Sequence, residues 1–188
     1  MAEILLFHHA QGLTPGCVAF AEALRTAGHV VHAPDLYAGR IFDDLDAGVE
    51  HARSIGFDVL LERGRLAAEP LPSDLVYAGF SLGVMPAQLL TQTRAGARGA
   101  VLMHAAVPVA EFGGNWPAGV PAQIHTMADD SWGDVDVAQE LAASTAEVEL
   151  FVYPGDRHLF TDSSLPDHDE AAATLVRERV LAFLAALP

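Results

Sequence analysis

The chain has 188 residues, 51% of them hydrophobic, and a formal net charge of −15. That length predicts a single domain, residues 1–188, with enough chain for a full core. The acidic balance argues against nucleic acid or an anionic membrane surface as a partner, since both attract basic proteins. All ten basic residues are arginine, and without lysine neither Schiff-base catalysis nor a Walker-A phosphate loop is available. No Gly-x-Gly-x-x-Gly stretch occurs, so no dinucleotide cofactor is expected. Cys17 is the single cysteine, which rules out an intrachain disulfide. The first residues have neither the basic start nor the length of a signal peptide, and no apolar run approaches the ~20 residues of a membrane span. A soluble, cytoplasmic protein is expected.

Residues 3–7, Glu-Ile-Leu-Leu-Phe, read as a first buried strand, apolar after Glu3 and not alternating, as parallel strands are. His8-His9-Ala10-Gln11-Gly12 is the loop leaving it. Thr14-Pro15 reads as an N-cap followed by proline at N1, opening a helix to Ala27 that stops at Gly28. A second strand covers residues 30–33 and is ended by Pro34-Asp35. Residues 43–68 read as helix in two pieces, because Gly48, Gly56 and Gly64 interrupt a single rod. Further strands are predicted over 75–80, 99–104, 122–127 and 148–153, and helices over 84–93, 134–144 and 169–187. Alternating strands and helices imply a parallel sheet with right-handed crossovers and helices on both faces.

In such sheets ligands bind beyond the C-terminal strand ends, and the polar residues fall there: His8-His9, Ser81, His104, Asp129-Asp130 and His158. Gly79-Phe80-Ser81-Leu82-Gly83 follows an apolar strand and precedes a helix, the context of a nucleophile elbow. The turn forces the serine clear of the sheet and points the Leu82 N–H at a bound carbonyl oxygen. A serine hydroxyl needs a base, and the base needs an acid to orient it. The fifth strand ends at Asp129-Asp130, and the sixth is followed by Tyr153-Pro154-Gly155-Asp156-Arg157-His158. The chain order serine, acid, histidine is that of α/β-hydrolases, which gives Ser81, Asp130 and His158.

Pro34-Asp35-Leu36-Tyr37, the Gly79–Gly83 elbow and Tyr153-Pro154-Gly155…His158…Phe160 together resemble the dienelactone hydrolase family, over nearly the whole chain. The resemblance implies an α/β-hydrolase fold: a three-layer sandwich around a mainly parallel sheet of about six strands, shortened at its N-terminus. It implies that the Ala10 N–H is the second oxyanion donor beside Leu82. The family's pattern, an acid before a short turn residue and an aromatic, also favours Asp130 over Asp129, with Ser131 and Trp132 following. His9, Tyr37 and Trp132 are expected at the substrate pocket. Two positions depart from the family's type members: Ser81 stands where they have cysteine, and His9 where they have glutamate. No arginine is identifiable that would hold a dienelactone carboxylate.

The expected function is a serine hydrolase that cleaves a small carboxylic ester or lactone through an acyl-enzyme, as monomer or weak homodimer, with no cofactor. A thioesterase or peptidase using the same triad is the alternative within the enzyme class, and a non-catalytic binding protein the one outside it. His8, His9, His104 and His125 invite a metal reading, but no His-Glu-x-x-His or similar spacing supports one, so no metal site is expected. The only segments able to cover the site are 37–72 and 107–121, which predicts a shallow, open pocket.

Overall fold

In the computed structural model, which describes residues 1–187, five ladders join six strands, and every pair is parallel. The strands are β1 (Glu3–Phe7), β2 (Val30–His32), β3 (Val76–Phe80), β4 (Gly99–Met103), β5 (Ala122–Met127) and β6 (Val148–Tyr153), in the spatial order β2-β1-β3-β4-β5-β6. The helices are α1 (Pro15–Thr26), α2 (Leu45–Ile55), α3 (Phe57–Ala68), α4 (Val84–Thr93), α5 (Val135–Ser144) and α6 (Glu170–Ala186). Among the described residues, no helix is long and apolar enough to cross a membrane.

Side chains alternate across the pleat, so each strand feeds two cores. Ile4 and Leu6 of β1 pack with Phe20 and Leu24 of α1 and with Val176, Val180 and Leu184 of α6. Leu5 and Phe7 face the other way, against Leu60 of α3, Val84 and Leu90 of α4 and Leu141 of α5. This is a three-layer α/β-hydrolase fold. Its strand order reverses between β1 and β3, and that switch point opens the crevice in which such sheets hold ligands.

Sequence punctuation explains most boundaries. Thr14 caps α1 by accepting from the Cys17 N–H, Asp44 caps α2 through the Ala47 N–H, and Asp169 caps α6 through the Ala172 N–H. The break between α2 and α3 is at Gly56, whose φ of 94° suits only glycine comfortably. Gly48 and Gly64, read above as interruptions, lie inside α2 and α3. A Cβ on Gly48 would stand 2.3 Å from the Ala10 carbonyl oxygen, and one on Gly64 2.5 Å from Pro86 Cβ. Both glycines are there for close approach, and Gly48 brings α2 directly against the loop that follows β1.

Candidate active site

Ser81 occupies a tight turn between β3 and α4, with φ at 48°, a left-handed conformation that costs a serine free energy. The flanking glycines are sterically obligatory. A Cβ on Gly79 would lie 2.1 Å from the Gly83 carbonyl oxygen, and one on Gly83 2.4 Å from that of Phe7. The N-terminal end of α4 lies just behind the serine, so its partial positive charge faces the same crevice.

Ser81 Oγ lies 2.7 Å from His158 Nε2, and His158 Nδ1 lies 2.7 Å from Asp130 Oδ2. The carboxylate can only accept, so Nδ1 carries the proton and Nε2 presents a lone pair to the serine hydroxyl. Asp130 Oδ1 accepts from the Trp132 N–H at 2.9 Å, which fixes the carboxylate plane. Asp130 and His158 are 6% and 4% exposed, dry enough for these bonds to outcompete water. Asp129 points to solvent, with its N–H donated to the Gly155 carbonyl oxygen. Gly133 completes the acid's seat, because a Cβ there would approach Asp130 Oδ2 to 2.7 Å.

Beside the serine is a cavity of about 410 Å³. Ala10, Ser81 and Leu82 form its floor, Val49 of α2 and Phe57 of α3 one wall, and Val107, Val137 and Trp132 the other. The segments 37–72 and 107–121 contribute Val49, Ala52, Phe57, Val107 and Pro108 to this lining. Among the described residues, the Ala10 N–H has no protein acceptor. Trp132, 45% exposed, stands at the mouth with its ring 6.3 Å from that of His158.

Two expected pocket residues are not on the cavity. Tyr37 is buried in an aromatic cluster with His8, Phe42 and His51, its hydroxyl aimed at the Gly48 carbonyl oxygen. Burial pushes its hydroxyl pKa up to about 12. His9 turns away from the cavity and bonds through Nε2 to Asp162 Oδ2 at 2.8 Å. Position at a strand end gave the neighbourhood of these residues and said nothing of the direction of the side chain.

Asp162 is the residue that sequence reading missed. It is buried four positions after His158, accepts from the Thr14 hydroxyl, and accepts from the Ser164 hydroxyl and N–H at 2.6 and 2.8 Å. It therefore ties the loop of His158 to the start of α1 and, through His9, to the loop that follows β1. Burial works against both charges, yet the hydrogen bond to Asp162 raises the His9 pKa, and those bonds depress that of Asp162. His9, Cys17 and Asp162 offer ligand atoms within 4.8 Å of one another. The aspartate's oxygens are already taken up by His9, Thr14 and Ser164.

Three other histidines are held neutral. The His8 Nε2 accepts the Leu36 N–H at 3.0 Å, so its Nδ1–H donates to the His9 carbonyl oxygen. Burial lowers its pKa to about 4. Burial likewise lowers His125 to about 3 and takes His104, bonded to Thr161 Oγ1, well below its ordinary value. The unfolded chain protonates such histidines near pH 6.5, whereas the folded chain resists. Stability from these three is therefore complete above pH ~6.5 and is lost as pH falls toward 4. His9, with a raised pKa, changes only above pH ~6.5, and Asp162 only below ~4, so neither offsets the loss. Thermal melts from pH 7.5 to 4.5 are expected to show a steady fall in Tm beginning near pH 6.5. A flat profile over that range would mean that these rings are already charged in the fold.

The family model described as "Dienelactone hydrolase family" matches residues 2–187. A search of curated proteins finds no match. Among solved structures, the chain is similar to a dienelactone hydrolase-like promiscuous phosphotriesterase from metagenomic libraries, with TM-score 0.78 and 20% identity, covering 100% of this chain and 87% of that one. It is similar to Est1E of Butyrivibrio proteoclasticus, solved with ferulic acid bound, with TM-score 0.72 and 16% identity, covering 98% and 88%. The dienelactone hydrolase of Anabaena variabilis aligns with TM-score 0.66 and 17% identity over 100% and 88%. At such identities the likeness speaks for the fold.

Proposed function

We infer the chemistry from one premise: the chain belongs to the dienelactone hydrolase family and is a hydrolase. We propose that it cleaves a small carboxylic ester or lactone through an acyl-enzyme. The observation that carries this reading is the continuous bond path from Ser81 Oγ through His158 to Asp130, opening onto an apolar cavity. Ser81 Oγ attacks the carbonyl carbon while its proton passes to His158 Nε2. The carbonyl oxygen, now negative, is received by the N–H groups of Ala10 and Leu82; one such donor is typically worth ~10²–10³ in rate. His158 returns the proton to the departing alkoxide, leaving the acyl group on Ser81. Water then attacks the acyl carbon, giving its proton to His158, and the acid departs with Ser81 reprotonated. Asp130 holds the tautomer and stabilises the imidazolium that each half-reaction forms. A lactone follows the same course, its leaving alcohol staying attached to the acyl chain.

A fluorophosphonate probe tests the reading, because it captures only a serine whose proton a neighbouring base can take. One equivalent is expected to attach, and peptide mass spectrometry is expected to place it on Ser81. A folded protein that stays unlabelled, or is labelled elsewhere, would end the serine-hydrolase proposal.

A further inference from the structure

We propose that the cavity beside Ser81 selects uncharged substrates bearing an apolar group and turns away those bearing a carboxylate, with Asp134 as the residue that discriminates. This rests on the serine-hydrolase reading and adds the substrate class. Apart from Ser81, the walls that an acyl or alcohol group would touch are apolar, from Val49 and Phe57 across Met85 to Val107 and Val137. Among the described residues, the one ionisable side chain on the cavity is Asp134. It is the N-cap residue just before α5, with φ at 47°, yet its carboxylate caps no helix N–H and has no hydrogen bond. Its side chain is exposed at the cavity's edge, and its partial desolvation raises its pKa against the pull of His158, with a smaller push from the Asp130 charge. The desolvation and the Asp130 charge would also penalise a further negative charge brought into the same space.

A carboxylate-bearing substrate would need a cation there, and none of the ten arginines lines the cavity. Arg63 is engaged by the Leu36 carbonyl oxygen, and Arg94 by Tyr77 and Leu71. Arg157, adjacent to His158, donates to the His168 carbonyl oxygen and faces Asp169. An anion entering would lose its hydration, gain no partner and meet Asp134. The overall charge of −15 acts in the same direction at longer range.

The test compares p-nitrophenyl hexanoate with mono-p-nitrophenyl adipate, a pair of equal acyl chain length in which only the second carries a terminal carboxylate. The neutral ester is expected to have a kcat/KM at least ~100-fold higher, and Asp134→Asn is expected to narrow that ratio by about tenfold. A second arm uses Ser81→Ala and follows binding of hexanamide and of adipic acid monoamide by NMR titration. Hexanamide is expected to bind at least ~10-fold tighter. Comparable rates for the two esters, or a ratio unmoved by Asp134→Asn, would overturn the proposal. If neither ester turns over while the binding preference holds, the hydrolase reading falls and the selectivity of the cavity stands. Equal binding of the two amides overturns the selectivity whatever the kinetics show.

Discussion

Ser81→Ala is expected to lower kcat for a p-nitrophenyl ester by about 10⁵ or more, the scale seen when a triad nucleophile is removed. The expectation follows from the bond at 2.7 Å between Ser81 Oγ and His158 Nε2 and from the absence of any other nucleophile on the cavity floor. Whatever turnover survives would come from the Ala10 and Leu82 donors and from holding the ester in place. The fold should tolerate the change. The hydroxyl's hydrogen bond is to His158 alone, and alanine meets the same left-handed φ of 48° at a comparable cost. Circular dichroism and a thermal melt on the same preparation separate loss of chemistry from loss of structure. A folded variant retaining more than a hundredth of the wild-type kcat would take Ser81 out of the mechanism.

The elements that sequence made legible are those whose signal is local. The central strands β3 and β4 and most of β1 are apolar runs, and Thr14, Asp44, Asp169 and Gly56 mark helix ends by chemistry that depends on a few neighbouring residues. The elbow was readable for the same reason, because its two glycines answer clashes within the turn and with the strand beside it. Gly48 and Gly64 were misread because their requirement is tertiary: the atoms they avoid belong to Ala10 and Pro86, far away in sequence. Asp162 was invisible on similar grounds. Its neighbours in sequence are those of an ordinary turn, and only folding brings Thr14 and His9 onto its carboxylate.

Direction was harder to read than position. His9 and Tyr37 do sit at the C-terminal edge of the sheet, but a loop leaves its side chains free to face either way. Packing decided both: Asp162 draws His9 away from the cavity, and His8 and His51 enclose Tyr37. Asp134, legible only as the start of a helix, acquires its importance from the cavity whose edge it shares with Val107 and Phe57.

The adjacent carboxylates give the second large effect. Asp130→Asn is expected to lower kcat by at least ~10², and by up to ~10⁴, the range for the orienting acid of a serine triad. Neighbouring residues in an extended loop point to opposite sides, and here Asp130 is buried against His158 Nδ1 at 2.7 Å while Asp129 is exposed. An asparagine at 130 can present its amide N–H₂ to Nδ1, which would favour the tautomer with its proton on Nε2. That tautomer cannot accept from Ser81. The substitution also removes the negative charge that meets the imidazolium formed in each half-reaction. Asp129→Asn disturbs neither term, since the link of residue 129 to Gly155 runs through its backbone N–H, and a loss under about tenfold is expected. The measurement is kcat for both variants beside a melt of each. If Asp129→Asn proved the costlier change in a folded protein, the acid would be Asp129, and the imidazole would have to swing away from the partner that it has at rest.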